Sequence, residues 1–140
     1  MIRFGLLGCG RIAKRHSELL GGNHIDRASL VAVCDPIRAR ADAIGSKFGV
    51  PAFYDIEGFL ARKDIDAVAV LTPSGMHPEH VIACAKAGKH VIVEKPMAAS
   101  ADEVRRLIDE AARRNLTLMV DHTFVHTSAV QKWSRRCLLL

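Results

Sequence analysis

The sequence has no apolar run approaching the roughly 20 residues that a bilayer-spanning helix needs. It also lacks the charged, apolar and small-residue succession of a signal peptide, because residues 1–5 lead directly into an apolar run. Its 140 residues, 49% hydrophobic and 25% charged, suit a single domain with a buried core. We therefore expect a soluble cytoplasmic protein without a membrane partner.

Two common ligand frameworks are missing, one of cysteines and one of histidines. No two cysteines form a Cys-x-x-Cys pair and three lie in or beside apolar segments, which predicts reduced packing residues at Cys9, Cys34, Cys84 and Cys137. The pairs His77/His80 and His122/His126 have no carboxylate or thiolate at a recognised ligand spacing. The sequence therefore predicts neither a disulfide nor a metal site.

A concentrated basic surface is missing as well. The formal net charge is +5, but residues 122–140 contain Lys132, Arg135 and Arg136 and no acid, so residues 1–121 carry 17 basic and 15 acidic groups. Nucleic-acid-binding domains usually present clustered basic charge. We therefore expect no nucleic-acid partner.

What the sequence does contain is a regular alternation of short apolar, β-branched runs with amphipathic stretches, without internal repeats or low-complexity linkers. The predicted strands are Ile2–Leu7, Leu30–Cys34, Ala52–Tyr54, Ala67–Leu71, His90–Val93 and Leu116–Val120. The alternation predicts an α/β fold built on a doubly wound parallel sheet, the Rossmann fold. Ligands of this fold bind beyond the carboxyl ends of the strands, which makes the loops after the strands the place to look.

Two of the intervening helices are well specified. The spacing from Ile37 to Phe48 predicts a helix that stops at Gly49. The capping box from Ser100 to Glu103 opens another, whose apolar stripe consists of Val104, Leu107, Ile108, Ala111 and Ala112.

A glycine-rich turn, Gly8-Cys9-Gly10-Arg11-Ile12-Ala13, follows the first predicted strand and opens a helix with Ile12, His16, Leu19 and Leu20 on one face. Gly8 permits a tight turn, Gly10 lets a pyrophosphate approach the backbone, and Ala13 lets the helix pack closely on the strand. The free N–H groups of the helix N-terminus then bind the anion. This arrangement predicts a dinucleotide site, and the alternative is a tight turn without a ligand.

Asp35 ends the second predicted strand, 25 positions after Gly10, against a usual spacing of about 20 for a ribose-binding acid. The polar insert 21–28 accounts for the difference. A carboxylate at this place accepts hydrogen bonds from ribose hydroxyls and repels a 2′-phosphate, which favours NAD and leaves NADP possible. Arg38 opposes this preference, because its cation could accommodate the phosphate or stack on adenine. The alternative for Asp35 is a plain helix N-cap before Pro36.

Two more loops carry unusual residues after predicted strands, Thr72-Pro73-Ser74-Gly75-Met76-His77-Pro78 and Glu94-Lys95-Pro96. A charged Glu-Lys pair at the mouth of a buried strand is costly to desolvate and has no evident packing use. Lys95 could hydrogen-bond a nicotinamide ribose and a substrate hydroxyl and take part in proton transfer. The alternative is an exposed surface ion pair.

Four segments together resemble the N-terminal domain of the glucose–fructose oxidoreductase, inositol 2-dehydrogenase and rhizopine-catabolism (Gfo/Idh/MocA) family. They are Gly8 to Ala13, Val33-Cys34-Asp35, Thr72 to His77 and, above all, Gly88-Lys89-His90-Val91-Ile92-Val93-Glu94-Lys95-Pro96-Met97. The resemblance implies an NAD(P)-dependent dehydrogenase acting on a sugar, cyclitol or nucleotide-sugar hydroxyl. It also implies that Lys95 is the catalytic residue beside the nicotinamide, with Glu94 and Pro96 shaping its turn, and that the cofactor groove is lined by Thr72, Pro73 and His77.

The domain organisation follows from the same resemblance. We assign residues 1–121 to the dinucleotide-binding domain and 122–140, with Trp133, to the start of an interdomain segment, and we expect the family's C-terminal α+β substrate domain to be absent. We expect cofactor binding without efficient turnover, and a homo-oligomer for a full-length protein. The alternatives are a non-catalytic dinucleotide sensor, the remnant of a truncated gene, or a methyltransferase with a similar glycine loop, which would not explain Lys95. The Lys95–Pro96 bond could be cis or trans.

Overall fold

A fully parallel sheet organises the residues that the computed structural model describes, which are 1–123, 127 and 128. Its strands are β1 (Ile2–Leu7), β2 (Ala28–Cys34), β3 (Ala52–Phe53), β4 (Ala67–Val70), β5 (His90–Glu94) and β6 (Leu118–Asp121). Their order across the sheet is β3-β2-β1-β4-β5-β6. The six predicted strands and the doubly wound sheet are therefore confirmed.

Five α-helices connect the strands within the described residues. They are α1 (Ala13–Gly21), α2 (Arg38–Phe48), α3 (Ile56–Leu60), α4 (His77–Lys86) and α5 (Ala101–Arg113), with a 3-10 turn at Ser74–Met76 before α4. As predicted, α2 ends at Gly49, whose φ of 67° is left-handed. The helix α5 is capped by Ser100, whose Oγ accepts a hydrogen bond of 3.3 Å from the N–H of Glu103. None of these helices is long and apolar enough to cross a membrane.

The side chains of the central strands alternate between two cores, one on each face of the sheet. Val68 and Val70 of β4 enter the core under α4 and α5, whereas Ala69 enters the core under α1 and α2. The buried stripe of α5 is narrower than predicted, because Leu107 is buried but Ile108 is 50% exposed. Burial of β4 from both faces explains why its sequence is a continuous apolar run.

The cysteines behave as packing residues where the structure describes them. Cys9, Cys34 and Cys84 are free and buried, and burial raises the pKa of each thiol to about 12. Such thiols are poor nucleophiles and poor metal ligands at neutral pH. Cys137 lies outside the described residues.

The strand order reverses between β1 and β4, since β1 pairs with β2 on one side and with β4 on the other. Chain connections leave the carboxyl ends of these neighbouring strands toward opposite faces of the sheet, which opens a crevice between them. The loops beginning at Gly8, Asp35 and Thr72 therefore meet at one place.

Candidate functional site

A groove of about 650 Å³ lies at the carboxyl ends of β1, β2 and β4. Seven of the residues predicted for the cofactor site line it, namely Gly8, Gly10, Arg11, Ile12, Asp35, Thr72 and Pro73. Ile12, expected to share one face of α1 with His16, Leu19 and Leu20 and to belong to the cofactor site, is 44% exposed. Its side chain forms part of the groove instead of the core.

The two glycines of the first loop serve different purposes. Gly8 has a φ of 97°, and a Cβ there would lie 2.9 Å from the backbone C and O of Leu71. Only glycine therefore fits, because the loop passes close to the end of β4. A Cβ on Gly10 would meet nothing within 4 Å, so its missing side chain leaves open space at the start of α1.

Asp35 is 5% exposed and both of its carboxylate oxygens are occupied. Oδ2 accepts a hydrogen bond of 2.8 Å from the N–H of Cys9, and Oδ1 accepts one of 2.8 Å from the N–H of Ile37. The second bond is an Asx turn that shapes the entry to α2. The helix α2 itself has no side-chain cap, so Asp35 is not a plain N-cap. Each carboxylate oxygen retains acceptor capacity for a further donor.

The first turn of α2 places two arginines differently. The guanidinium of Arg38 lies 3.9 Å from the centre of the Tyr54 ring, and the Tyr54 hydroxyl donates a hydrogen bond of 2.7 Å to Asp42. This hydrogen bond raises the pKa of Tyr54. The groove wall includes Arg40 and Tyr54 but not Arg38. Arg40 was not predicted as a site residue.

His77 is buried behind the groove wall, contrary to the expectation that it lines the groove. It is 1% exposed; its Nδ1 lies 2.7 Å from the carbonyl oxygen of Pro96 and its Nε2 lies 2.8 Å from that of Thr72. The ring therefore joins the loop after β4 to the loop after β5.

A second histidine of α4, His80, lies in the groove wall, where His77 was expected. His80 lines the groove, and its Nδ1 lies 2.8 Å from Thr72 Oγ1. Burial lowers the pKa of His80, which favours a neutral ring. Its spacing of three residues from His77 puts it on the same side of the helix, one turn further on.

The Glu94-Lys95-Pro96 turn lies next to this groove without lining it. The peptide bond between Lys95 and Pro96 is cis. Lys95 is exposed, and within the described residues its side chain has neither a hydrogen-bond nor an ion-pair partner. Glu94 does not pair with the Lys95 ammonium, because its Oε1 faces His16 Nε2 at 3.4 Å. The alternative of a Glu-Lys surface ion pair is therefore wrong.

His16 belongs to a cluster that sequence reasoning missed. Its Nε2 is 3.4 Å from Glu94 Oε1 and 3.5 Å from Asp121 Oδ2. Within the described part of the chain, these three residues are the group whose ligand atoms lie close enough to hold a metal ion, all within 4.8 Å of one another. The available signal was a polar residue among the apolar residues predicted to share one face of α1.

Comparison with known proteins decides the family. The sequence model of GFO_IDH_MocA, described as the oxidoreductase family with an NAD-binding Rossmann fold, matches residues 2–122. The chain belongs to the Gfo/Idh/MocA family. It therefore shares the NAD-binding Rossmann fold of that oxidoreductase family.

Members of the Gfo/Idh/MocA family with related sequences include two kinds of enzyme. The inositol 2-dehydrogenase of Rhizobium meliloti is 40% identical over 119 residues, which are 85% of this chain and 35% of that protein. A dTDP-3,4-didehydro-2,6-dideoxy-alpha-D-glucose 3-reductase of Saccharopolyspora spinosa is 36% identical over 125 residues, 89% of this chain and 37% of that protein. The chain thus spans little more than a third of these relatives.

Solved structures of the family agree with the fold. The WlbA dehydrogenase of Chromobacterium violaceum, in complex with NADH and UDP-GlcNAcA, superposes with a TM-score of 0.90 at 37% identity, over 96% of this chain and 39% of that one. A point mutant of KijD10, a 3-ketoreductase from Actinomadura kijaniata in complex with TDP-benzene and NADP, superposes with a TM-score of 0.89 at 30% identity, over 97% of this chain and 42% of that one. Structures of this family are thus known with either nicotinamide cofactor.

Proposed function

We propose that this chain is the cofactor-binding domain of a dehydrogenase that moves a hydride between NAD(P) and a hydroxyl-bearing carbon of a sugar, cyclitol or nucleotide sugar. The observation that carries the proposal is the groove at the strand-order reversal, which opens between Gly10, Asp35 and Thr72 and has the Lys95 turn beside it. The relatives' substrates supply the substrate class, and their length implies that further residues contact the substrate.

The pyrophosphate of the cofactor fits the start of α1. Outside Gly10 and its two chain neighbours, no atom lies within 4 Å of the position that a Gly10 Cβ would occupy, so the backbone is accessible to a bulky anion. No side chain caps α1 and no acid lies in its first turn. The N–H groups of Ala13 and Arg15 bond carbonyls within the turn, and the remaining N–H groups at the start of α1, with the positive end of its dipole, favour a phosphate there.

The adenosine ribose fits beside Asp35. Both carboxylate oxygens are fixed by backbone N–H groups, which orients their remaining lone pairs toward the groove end of β2. These lone pairs can accept bonds from the two ribose hydroxyls, and the negative charge opposes a 2′-phosphate. We propose a preference for NAD, with Arg40 as the wall cation nearest to an added phosphate.

Lys95 is the proposed catalytic residue. The nicotinamide supplies the hydride-accepting carbon when the cofactor is bound. The Lys95 ammonium, which has no partner within the described residues, is then free to donate to the nicotinamide ribose and to the substrate hydroxyl. Held beside that hydroxyl, the lysine can stabilise its oxygen and participate in the transfer of its proton.

An equilibrium titration tests the proposal. Nicotinamide fluorescence is followed as NADH and NADPH are added to the chain, and S-adenosylmethionine is added separately in a calorimeter. We expect NADH to bind more tightly than NADPH and S-adenosylmethionine not to bind. Binding of S-adenosylmethionine without NADH binding would instead identify a methyltransferase-type nucleoside site.

A further inference from the structure

Lys95 is flanked on both sides by residues that contact histidines from two different helices. On one side, His16 of α1 faces the Glu94 carboxylate at 3.4 Å. On the other, His77 of α4 faces the Pro96 carbonyl at 2.7 Å. Lys95 itself has no side-chain partner in the described part of the chain, so its placement depends on the residues before and after it.

The His16 contact involves more than one pair of atoms. The side chains of His16, Glu94 and Asp121 are 18%, 14% and 24% exposed, so solvent screens their charges only partly. Glu94 Oε2 also accepts a hydrogen bond of 3.3 Å from the N–H of Lys95. The carboxylate thus connects the helix of the glycine loop directly to the lysine's backbone.

The two contacts of His77 restrict which atoms can donate hydrogen bonds. Carbonyl oxygens only accept hydrogen bonds, so the ring must be the donor; a neutral imidazole, with one N–H, donates to Pro96 or to Thr72, and only a doubly protonated ring donates to both. The two distances are 2.7 Å to Pro96 and 2.8 Å to Thr72, both within hydrogen-bond range. In either state the ring fills the space between the lysine turn and the groove wall at Thr72 and contacts both.

We propose that His16 and His77 are positioning residues for Lys95. They hold Glu94 and Pro96 from α1 and α4, so that the helix of the glycine loop and the wall at Thr72 together determine where the lysine ammonium lies. This inference deepens the proposed function. The experiment that measures NADH binding rests on that function, whereas the contacts of His16 and His77 do not depend on it.

A hydrogen-bonded contact between the His16 ring and the carboxylates explains the His16 cluster better than a bound metal ion does. A histidine that ligates a metal usually donates its other ring N–H to a carboxylate, a carbonyl or water, which fixes the ring orientation. Nδ1 of His16 has no such protein partner among the described residues.

The first experiment needs no cofactor. Amide hydrogen exchange at Lys95, whose N–H donates to Glu94 Oε2, is measured by NMR in the wild-type chain and in His16→Ala, His16→Gln and His24→Ala. We expect His16→Ala to accelerate exchange at this amide by about threefold or more. His16→Gln should restore slow exchange, because its amide can donate to Glu94, and His24→Ala, an exposed histidine just beyond α1, should change nothing. Unchanged exchange in His16→Ala would overturn the proposal.

In His77→Phe, which keeps a ring but removes both ring nitrogens, the backbone amide chemical shift of Met97, measured in the same NMR spectra, should move from its wild-type position. Circular dichroism reports whether that buried variant folds, and the two His16 variants decide the question if it does not. Zinc is titrated in parallel. Submicromolar zinc binding that disappears in His16→Ala would overturn the proton-mediated contact in favour of a metal site.

The second experiment measures coupling to Lys95. If Lys95→Ala weakens NADH binding about tenfold, the same substitution in a His16→Ala background should weaken it less than about threefold, because residues that act together are not additive. Additive losses would show that His16 acts independently of Lys95 and would overturn the proposal. No effect of Lys95→Ala on NADH affinity would contradict the proposed function alone, since the exchange data test the positioning separately.

Discussion

The Asp35 carboxylate accepts a hydrogen bond of 2.8 Å from the backbone N–H of Cys9, so the residue after β2 also holds the glycine loop after β1. The two loops are 26 residues apart in sequence and form adjoining parts of one groove. If Asp35 binds the cofactor as proposed, a substitution there should change cofactor selectivity and loop stability together.

We predict that Asp35→Ser narrows the preference for NADH over NADPH. In the wild-type chain the loss of a charge-assisted hydrogen bond and the added repulsion should disfavour NADPH by about 2 to 3 kcal/mol, which is roughly tenfold to a few hundredfold. The variant should also lose about 1 to 3 kcal/mol in free energy of unfolding, because the buried N–H of Cys9 loses its partner. Fluorescence titrations and urea unfolding measure the two effects. Asp109→Asn, an exposed acid on α5, is the control, and equal wild-type affinities would mean that the arginines of α2 outweigh Asp35.

We predict opposite outcomes for substitutions at the two loop glycines. Gly10→Val should fold normally but abolish NADH binding, because its side chain enters open space that the pyrophosphate needs. Gly8→Ala should lower the melting temperature, because its Cβ would lie 2.9 Å from the Leu71 backbone at a φ of 97°. Circular dichroism melts and NADH titrations of both variants separate these effects. NADH affinity that survives in Gly10→Val would contradict the glycine-loop assignment.

Features that arise from neighbouring residues could be predicted from the sequence, whereas features that depend on contacts between distant residues could not. The strands were predictable because local apolar runs specify them. The short helix α3 was missed, although Asp55 caps it by accepting a hydrogen bond of 2.7 Å from the N–H of Gly58. Phe59 within it is fully buried. A five-residue helix is too short for apolar periodicity to register.

The site residues show the same limit. The sequence motifs placed the loops correctly. They could not show whether a ring on α4 faces the groove or is buried behind its wall, so His77 was expected in the groove. Arg38 was expected there too. Its guanidinium instead contacts the ring of Tyr54, the residue that follows β3. The approach of His16 to Glu94 spans 78 residues and depends on the pairing of strands, which no local pattern contains.

We predict that His80 makes the free energy of unfolding decrease as the pH falls below neutrality. Burial lowers its folded-state pKa below the unfolded value of about 6.5. The unfolded chain therefore binds the proton more readily, and the stability contributed by the neutral ring is present above about pH 6.5 and lost as pH falls through the folded-state pKa. Urea unfolding at about pH 7.5 and about pH 5 should show a smaller difference in His80→Gln than in the wild type. An unchanged difference would contradict the assignment, and His24→Gln is the exposed control.

We predict that Lys89→Met destabilises the domain although it adds apolar surface to a buried place. Lys89 is 7% exposed, and its ammonium donates to the carbonyls of Arg62 at 2.6 Å and Ile65 at 2.9 Å. Methionine would leave both carbonyls unpaired, at a cost of about 1 to 3 kcal/mol in unfolding free energy. Lys86→Met, on the exposed end of α4, should change stability by less than about 0.5 kcal/mol. Equal effects of the two substitutions in urea unfolding would show that the Lys89 bonds contribute nothing.

The last prediction is that this chain binds NADH but oxidises sugars, inositols and nucleotide sugars at no useful rate. Gly10, Asp35 and Thr72, the proposed cofactor contacts, all line the groove. Hydride transfer also requires the carbinol carbon to be held roughly 3 to 3.5 Å from the nicotinamide, and such positioning is worth about 7 to 11 kcal/mol. Of the groups assigned to catalysis, only Lys95 is available to a substrate, and one ammonium cannot fix a polyhydroxylated ring. NADH formation is measured with a panel of these substrates at high protein concentration, beside Lys95→Ala. Robust turnover that disappears in Lys95→Ala would show that the single domain is a complete enzyme, whereas turnover that persists in it would point to a contaminating activity.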